Sequence, residues 1–304
     1  MSTRQFLRLM FATTVWGANT VLIKALFSHF PPLELQAFRM AMAALILIPV
    51  AARHRRRKIV PEARRLALRA AFCAVFLHQV CLARGMPLAK AGLSSLILSL
   101  NPLATAVIAH FVLDEPLTRR RLTGVLIGFG GVVAAVANEW HLMGTKIGVA
   151  ELLIFGAMLT YVMGGIFVKK ARDLIPPLQL TAMIQIYGAL MLLLPATMNV
   201  MRHGIPQKLP GPIFWIAAIA SATIATGYCN YLWNRSIQEI GASTTSMFAN
   251  VMPFVSLITA SIFLHESITA LQIVGLGAVI LGIFLGATPG LGKQQTRADL
   301  THSE

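Results

Sequence analysis

The chain repeats part of its own sequence at a fixed spacing, and this constrains its fold more than any local pattern. Between residues 84 and 131 a series of positions has counterparts 151 residues later. The matched positions are Arg84 and Arg235, Pro102 and Pro253, Glu115 and Glu266, Gly124 and Gly275, and Gly131 and Gly282. An echo of this length indicates an internal repeat.

The repeat extends to the start of the chain with a slightly shorter spacing. Nearer the N-terminus the offset is 145, and the loop at 199–212 can hold the six additional residues of the later half. The matched positions there are Trp16 and Tyr161, Lys24 and Lys169, and Pro32 and Pro177. We therefore predict two units, 1–140 and 141–290, and a flexible cytoplasmic tail at 291–304.

Composition places both units in a lipid bilayer. The chain is 56% hydrophobic and only 12% charged, with a mean hydropathy of +0.71, whereas soluble domains carry about 25% charge. Ten apolar segments approach the roughly 20 residues needed to span a membrane. They are 6–28, 33–52, 66–83, 92–113, 120–137, 147–168, 178–198, 213–234, 242–264 and 271–288. The predicted fold is all-α and integral to the membrane, with ten transmembrane helices.

Five spans per unit is an odd number, so the two units must lie upside down relative to each other. Inverted repeats are typical of transporters that work by alternating access, with a site near the midplane between the halves. The net charge of +15 supports one orientation. With the N-terminus in the cytoplasm, 19 of the 26 Lys and Arg residues fall in cytoplasmic segments and 5 in outer ones. This asymmetry predicts a multi-pass inner-membrane protein with both termini cytoplasmic, and it explains the positive charge without a nucleic-acid partner.

Short motifs in both halves resemble the EamA-type permeases of the drug/metabolite transporter superfamily. The opening sequence from Val15 to Lys24, followed by Pro31-Pro32 and Arg39, is similar to the start of those proteins. A helix that ends in Glu, an apolar residue and Thr before a glycine-rich span is also similar to a feature of those proteins. The resemblance covers roughly residues 6–288. It implies a ten-helix inverted-repeat carrier, usually in the inner membrane and often an exporter of amino acids or related metabolites, although some members import vitamins or cofactors.

Polar and aromatic residues inside the spans are candidates for binding substrate, because polar groups are costly in lipid. A midplane site should draw matched positions from both halves, such as Gln79 with Asn230 and Ser99 with Asn250. The predicted substrate-binding residues are Trp16, Asn19, His78, Gln79, Ser99, Asn101, Tyr161, Tyr228, Asn230, Tyr231 and Asn250. Hydrogen bonds between helices, worth about 0.6 kcal/mol each, are the competing role for any one of them.

Four further residues are predicted to act in kinking or gating. Pro102 and Pro253 interrupt the fourth and ninth spans, because proline removes a backbone donor. Glu115 and Glu266 end those spans, where they either gate the pathway or anchor helix ends. The glycine pairs of the fifth and tenth spans predict close helix packing within the fold, with a dimer face as the alternative.

Charged groups leave several questions of mechanism open. None of the eleven acidic residues lies at mid-membrane, which argues against a carboxylate proton relay. Facilitated export, or coupling through His78, is compatible with the sequence, although His78 also fits a packed structural role. Lys24 and Arg39 lie within spans, where they either snorkel outward or attract a substrate carboxylate.

The sequence therefore predicts a transporter, and the expected process is export of an amino acid or amino-acid-derived metabolite, including metal-chelating ones. Import of a small cofactor or nucleoside-like metabolite is the alternative within this class. An integral-membrane enzyme would need a clustered catalytic set, and the sequence shows none. No cofactor and no metal site are expected, because the three cysteines form no ligand pattern. The expected partners are the small-molecule substrate and the lipid bilayer, and the chain is expected to be a monomer or homodimer.

Overall fold

The computed structural model describes residues 1–53, 59–86, 88, 97–136, 148–204, 210–264 and 269–287. Within these ranges the regular structure consists of ten helices and no strand. The helices are α1 (Thr3–Phe27), α2 (Pro32–Arg53), α3 (Pro61–Gly85), α4 (Asn101–Leu113), α5 (Arg119–Val136), α6 (Val149–Lys170), α7 (Pro177–His203), α8 (Pro212–Ile240), α9 (242–264) and α10 (Ala270–Ala287). The all-helical prediction is confirmed for this part of the chain.

Six helices are long and apolar enough to cross a membrane: α1, α2, α3, α6, α7 and α8. Helices α4 and α10 are apolar but shorter, and α5 begins with three arginines. The first residues of the predicted fourth span, 92–96, lie outside the described ranges. The chain is thus a multi-pass membrane protein whose described helices agree in number with the ten predicted spans.

Proline fixes where four of the helices begin. Helices α2, α3, α7 and α8 each start at a proline, namely Pro32, Pro61, Pro177 and Pro212. A proline at the first helical position lacks only an N–H that would have no partner there. Helix α1 starts differently, since the Ser2 hydroxyl accepts from the Gln5 N–H while the Gln5 side chain accepts from the Ser2 N–H.

Two of the long helices contain a widened π-helical segment. It covers Phe72–Leu77 in α3 and Ser221–Tyr228 in α8. The last residues of the two segments are separated by the 151-residue repeat spacing. A π turn holds more residues than an α turn, so it rotates the following side chains to a different face of the helix.

Helices α5 and α10 touch through backbone at matched glycines. A Cβ atom on Gly124 would lie 2.5 Å from the Gly282 carbonyl oxygen and 2.8 Å from the Gly286 nitrogen. Seven residues further along α5, Gly131 faces the Gly275 carbonyl. The residue numbers of the contacting glycines rise along α5 and fall along α10, so the two helices are antiparallel. The contacts are also reciprocal, because Gly124 matches Gly275 in the repeat and Gly131 matches Gly282.

The outer surface of the bundle is apolar, as a lipid-facing surface must be. Large side chains such as Phe111, Leu194 and Ile213 are 78%, 66% and 66% exposed. Much of the interior is built of alanine and glycine, and small residues let helices pack closely where hydrophobic burial provides little driving force. Polar side chains lie inside, among them those that form the site described next.

Candidate transport site

A small cavity lies between α3, α6, α7 and α8. Its volume is about 30 Å³, which is enough for water but not for a metabolite. Its polar and aromatic lining consists of Tyr161, Gln185, Asn230, Trp233 and Asn234. The cavity therefore joins two residues that the sequence predicted, Tyr161 and Asn230, with three that it did not.

One face of α8 supplies four of the twelve lining residues, including three of the five polar and aromatic ones. Asn230, Trp233, Asn234 and Ile237 follow one another at helical spacings of three and four residues, so they project to the same side. This face begins directly after the π segment that ends at Tyr228. The π segment thus determines which residues of α8 face the cavity.

The backbone carbonyl of Thr226 is the polar centre of the wall. It accepts from Gln185 Nε2 at 3.2 Å and from Asn230 Nδ2 at 2.7 Å. Gln185 is only 2% exposed, and its Oε1 has no hydrogen-bond partner in the described part of the chain. A buried acceptor without a partner is a place where a donor on water or substrate would gain a hydrogen bond.

Trp16 and Asn19 of α1 contact the other side of the α8 π segment. The Trp16 indole N–H donates to the Ala225 carbonyl at 2.8 Å, and its ring centroid lies 5.0 Å from that of Trp233. The Asn19 side-chain oxygen accepts from the Ser221 hydroxyl at 2.6 Å. These two predicted site residues therefore contact the helix that forms the wall but do not line the cavity themselves.

His78 and Gln79 differ in their surroundings. His78 Nδ1 is 2.8 Å from the Ala157 carbonyl, and its ring centroid lies 5.0 Å from that of Tyr161. Because a carbonyl only accepts, Nδ1 carries the proton in this contact, and the ring is held against α6 as a packed histidine would be. Gln79 is partly buried in α3 and does not line the cavity.

Three residues that were predicted to bind substrate do not line this cavity: Ser99 in the turn before α4, Asn101 in α4 and Asn250 in α9. Ser99 is buried, and Asn101 accepts from Thr105 at 3.3 Å within α4. Asn250 is 3% exposed, its Oδ1 has no partner among the described residues, and its Nδ2 faces Gly128 of α5. The structure does not bring these residues together with Asn230.

The remaining two aromatic candidates also lie outside the cavity. Tyr228 is 50% exposed, and its ring packs at 6.1 Å from Phe11 on the lipid-facing side. Tyr231 accepts from Arg235 at 3.3 Å and lines a second, open cavity.

The second cavity has a volume of about 480 Å³ and lies at the end of the bundle that carries the N-terminus. Its lining includes Tyr231, Arg172 and Asp173. Glu239 forms its polar edge, where it is 2.8 Å from Arg8 Nη1 and 2.6 Å from Arg235 Nε. This cavity is large enough for a metabolite and holds both signs of charge.

The predicted kinking and gating residues take specific structural positions. Pro102 and Pro253 are each the second residue of an α-helical segment, after a turn at 99–100 and a 3₁₀ segment at Met247–Val251. Glu115 caps the start of α9, because its carboxylate accepts from the Ala242 and Ser243 N–H groups at 2.9 and 3.1 Å. It is also 3.8 Å from Arg121. Glu266 lies outside the described residues.

Side chains that could ligate a metal do not cluster in the part of the chain that the structure describes. Sequence reasoning missed Gln185, Trp233 and Asn234 at the cavity. A signal for them existed: Gln185 is a polar residue within an apolar span, and the other two share the helical face of Asn230.

Buried amide and aromatic groups between membrane-spanning helices are typical of functional sites in membrane proteins. Comparison with known families agrees, because the model of the EamA-like transporter family matches residues 5–137 and again residues 148–288. The chain belongs to the EamA-like transporter family, and it is a transporter that spans the membrane several times.

Individual relatives are similarly described. The chain is 31% identical over 193 residues to a Bacillus subtilis protein named uncharacterized transporter YyaM, a match that spans 62% of each chain. It is 27% identical over 297 residues to a Salmonella typhimurium protein named probable amino-acid metabolite efflux pump, covering 94% of this chain and 95% of that one. A crystal structure superposes with a TM-score of 0.77 over 98% of this chain and 99% of the other. Its sequence identity is 14%, so it shows a shared fold alone.

Proposed function

We propose that the protein exports an amino acid or an amino-acid-derived metabolite across the inner membrane by alternating access. The observation that carries the proposal is the polar cavity wall of Gln185, Asn230 and Asn234 beside Tyr161 and Trp233. Amide groups can bind a zwitterion without a fixed charge, and the aromatic rings can cover it. The relative named as an amino-acid metabolite efflux pump supports this substrate class and direction.

Inverted halves are a common architecture for alternating access, and several contacts support that arrangement. Helices α5 and α10 run antiparallel with reciprocal glycine contacts, as a twofold relation between the halves demands. The π segments of α3 and α8 end at matched positions. The family model also matches the chain twice, once in each half. In this account the units are 1–140 and 141–290, and substrate binds at their seam.

The cavity in this conformation is too small for a metabolite, so we propose that it is a closed stage of the cycle. The larger cavity beside Tyr231, Arg235 and Glu239 would then be the vestibule on the cytoplasmic side. Substrate would pass from this charged vestibule to the amide wall when α8 moves relative to α1 and α6.

Transport assays on proteoliposomes test the proposal. Radiolabelled L-amino acids are loaded on one side, and counterflow is measured for the wild type, Asn230→Ala and Gln185→Ala. Each substitution should lower the transport rate about tenfold or more, because a lost buried hydrogen bond leaves its partner unsatisfied. Thr223→Ala is the matched control, because among the described residues its hydroxyl bonds the Ile219 carbonyl of its own helix. Unchanged counterflow in both cavity variants would contradict the site, and no counterflow in the wild type would contradict the function.

A further inference from the structure

Arg39 is a buried cation within α2. It is the eighth residue of α2, so it lies about 10 Å along the helix from its start. Its side chain belongs to a residue only 4% exposed. In the described part of the chain, no Asp or Glu side chain lies within ion-pair distance of it.

The partners of Arg39 are neutral oxygens. Its guanidinium donates to Gln36 Oε1 at 2.6 Å, to Thr226 Oγ1 at 2.8 Å and to Ser221 Oγ at 3.0 Å. These three residues are themselves 2–4% exposed. Neutral hydrogen bonds satisfy individual N–H groups but leave the net charge uncompensated, and an unpaired charge in such an interior is strongly destabilising. Arginine has five N–H donors, so two remain for a further acceptor.

The guanidinium is connected to the cavity wall through one residue. Thr226 accepts from Arg39 with its hydroxyl, and it accepts from Gln185 and Asn230 with its carbonyl. Ser221 and Thr226 both belong to the π segment of α8, the helix that carries Asn230, Trp233 and Asn234 of the cavity wall. A change of that segment would release two of the three neutral acceptors and leave the guanidinium able to bind another acceptor.

We infer that Arg39 recognises the carboxylate of the transported molecule, an inference that rests on the proposed export of an amino acid or its derivative. Gln36, Ser221 and Thr226 hold the guanidinium when no anion is present, and the substrate carboxylate replaces hydroxyl acceptors during the cycle. A guanidinium fork suits the two oxygens of a carboxylate. A single cation balances the single charge of a carboxylate, and Lys24, which the sequence also placed within a span, is exposed.

A lipid phosphate does not explain this arginine. Snorkelling places the charged end of a long side chain in water or among headgroups, whereas Arg39 is covered on all sides. Its contacts also turn inward, toward α8 and the residues behind the cavity. The anion must therefore arrive through the transport pathway.

The test compares acids with their uncharged analogues on the purified full chain. Binding of L-amino acids and of the corresponding carboxamides is followed by tryptophan fluorescence, because Trp16 and Trp233 flank the π segment. The wild type should bind its preferred acid about tenfold or more tightly than the carboxamide. Arg39→Gln should lose this preference without weakening carboxamide binding, and Arg39→Lys should keep part of it because it retains the charge but not the fork.

Arg65→Gln is the control, since Arg65 is exposed at the start of α3 and should leave the preference unchanged. A folded Arg39→Gln protein that still prefers acids overturns the inference, as does a wild type that binds acids and carboxamides equally or binds neither. If Arg39→Gln fails to fold, Arg39→Lys decides, and an undiminished preference in that variant overturns the inference. The counterflow assay separates the two proposals. A wild-type protein that binds acids preferentially but does not transport them would contradict the proposed export and leave carboxylate recognition by Arg39 intact.

Discussion

Thr226 shows how one residue can couple a charge to a binding wall. Its hydroxyl accepts from Arg39, and its carbonyl accepts from Gln185 and Asn230. A change in any of these groups alters the others, because they share one acceptor residue in a low-dielectric interior. The network therefore gives substrate binding a direct route to the α8 backbone.

The contacts of Glu115 lead to a testable prediction about stability. Its carboxylate caps α9 with two backbone hydrogen bonds, so Glu115→Ala should lower stability by about 1–2 kcal/mol. The melting temperature in detergent should fall by roughly 2–6 °C. Asp173→Ala is the comparison, since that side chain is 93% exposed and should leave the melting temperature unchanged. Equal melting temperatures for the two variants would show that the cap is not stabilising.

Tyr228 provides a second prediction. The ring is half exposed and contacts Phe11 on the lipid-facing side. We expect Tyr228→Leu to retain the wild-type transport rate, because leucine keeps an apolar surface there. A loss comparable to that of Asn230→Ala, measured in the same proteoliposome counterflow assay, would mean that this ring reaches the pathway in another conformation.

Which side chains face the cavity depended on details that the sequence alone does not show. Asn230 and Tyr161 could be predicted as polar and aromatic residues within apolar spans. Gln79 and Tyr228 were predicted with them, but both lie within or next to a helix region altered by a π turn. Gln79 was predicted as the repeat match of Asn230 and Tyr228 as an aromatic residue within a span, and neither criterion determines which side of a helix faces the cavity.

At the scale of helices, the sequence was more informative. Prolines fixed the starts of α2, α3, α7 and α8, and apolar length identified six spans. In the fourth span, where the sequence predicts an interruption at Pro102, the structure has a turn at 99–100 before the helix that begins at Asn101. Hydropathy measures apolar length and does not detect such a break.

The α5–α10 contact gives the third prediction. Gly124→Ala would force a methyl group against the α10 backbone, and overpacking of this kind destabilises by about 1–3 kcal/mol. Gly130→Ala in the same helix meets no atom within 4 Å and should be neutral or stabilising, by up to about 1 kcal/mol. Melting temperatures in detergent measure both, and a Gly124→Ala protein as stable as Gly130→Ala would contradict the backbone contact.

For the whole molecule, we propose two similar units that meet along α5 and α10 and around the cavity. Membership of the EamA-like transporter family was predicted from short motifs and is confirmed by the family match over both halves. The inverted relation of the halves remains a prediction, supported by the antiparallel glycine contact. The charge distribution predicts the orientation of the protein in the membrane, with the C-terminal ends of α6 and α8 on the cytoplasmic side.

Cysteine accessibility in a membrane tests the inverted arrangement most directly. Ser28 and Asp173 occupy matched positions 145 residues apart, in the turns after α1 and α6, and both are exposed. Each is replaced by cysteine in a chain whose three native cysteines have been changed to serine. Intact cells and inverted vesicles are then treated with a membrane-impermeant maleimide. The account predicts that Ser28→Cys reacts only from outside and Asp173→Cys only from inside. Reaction of both from the same side would contradict it.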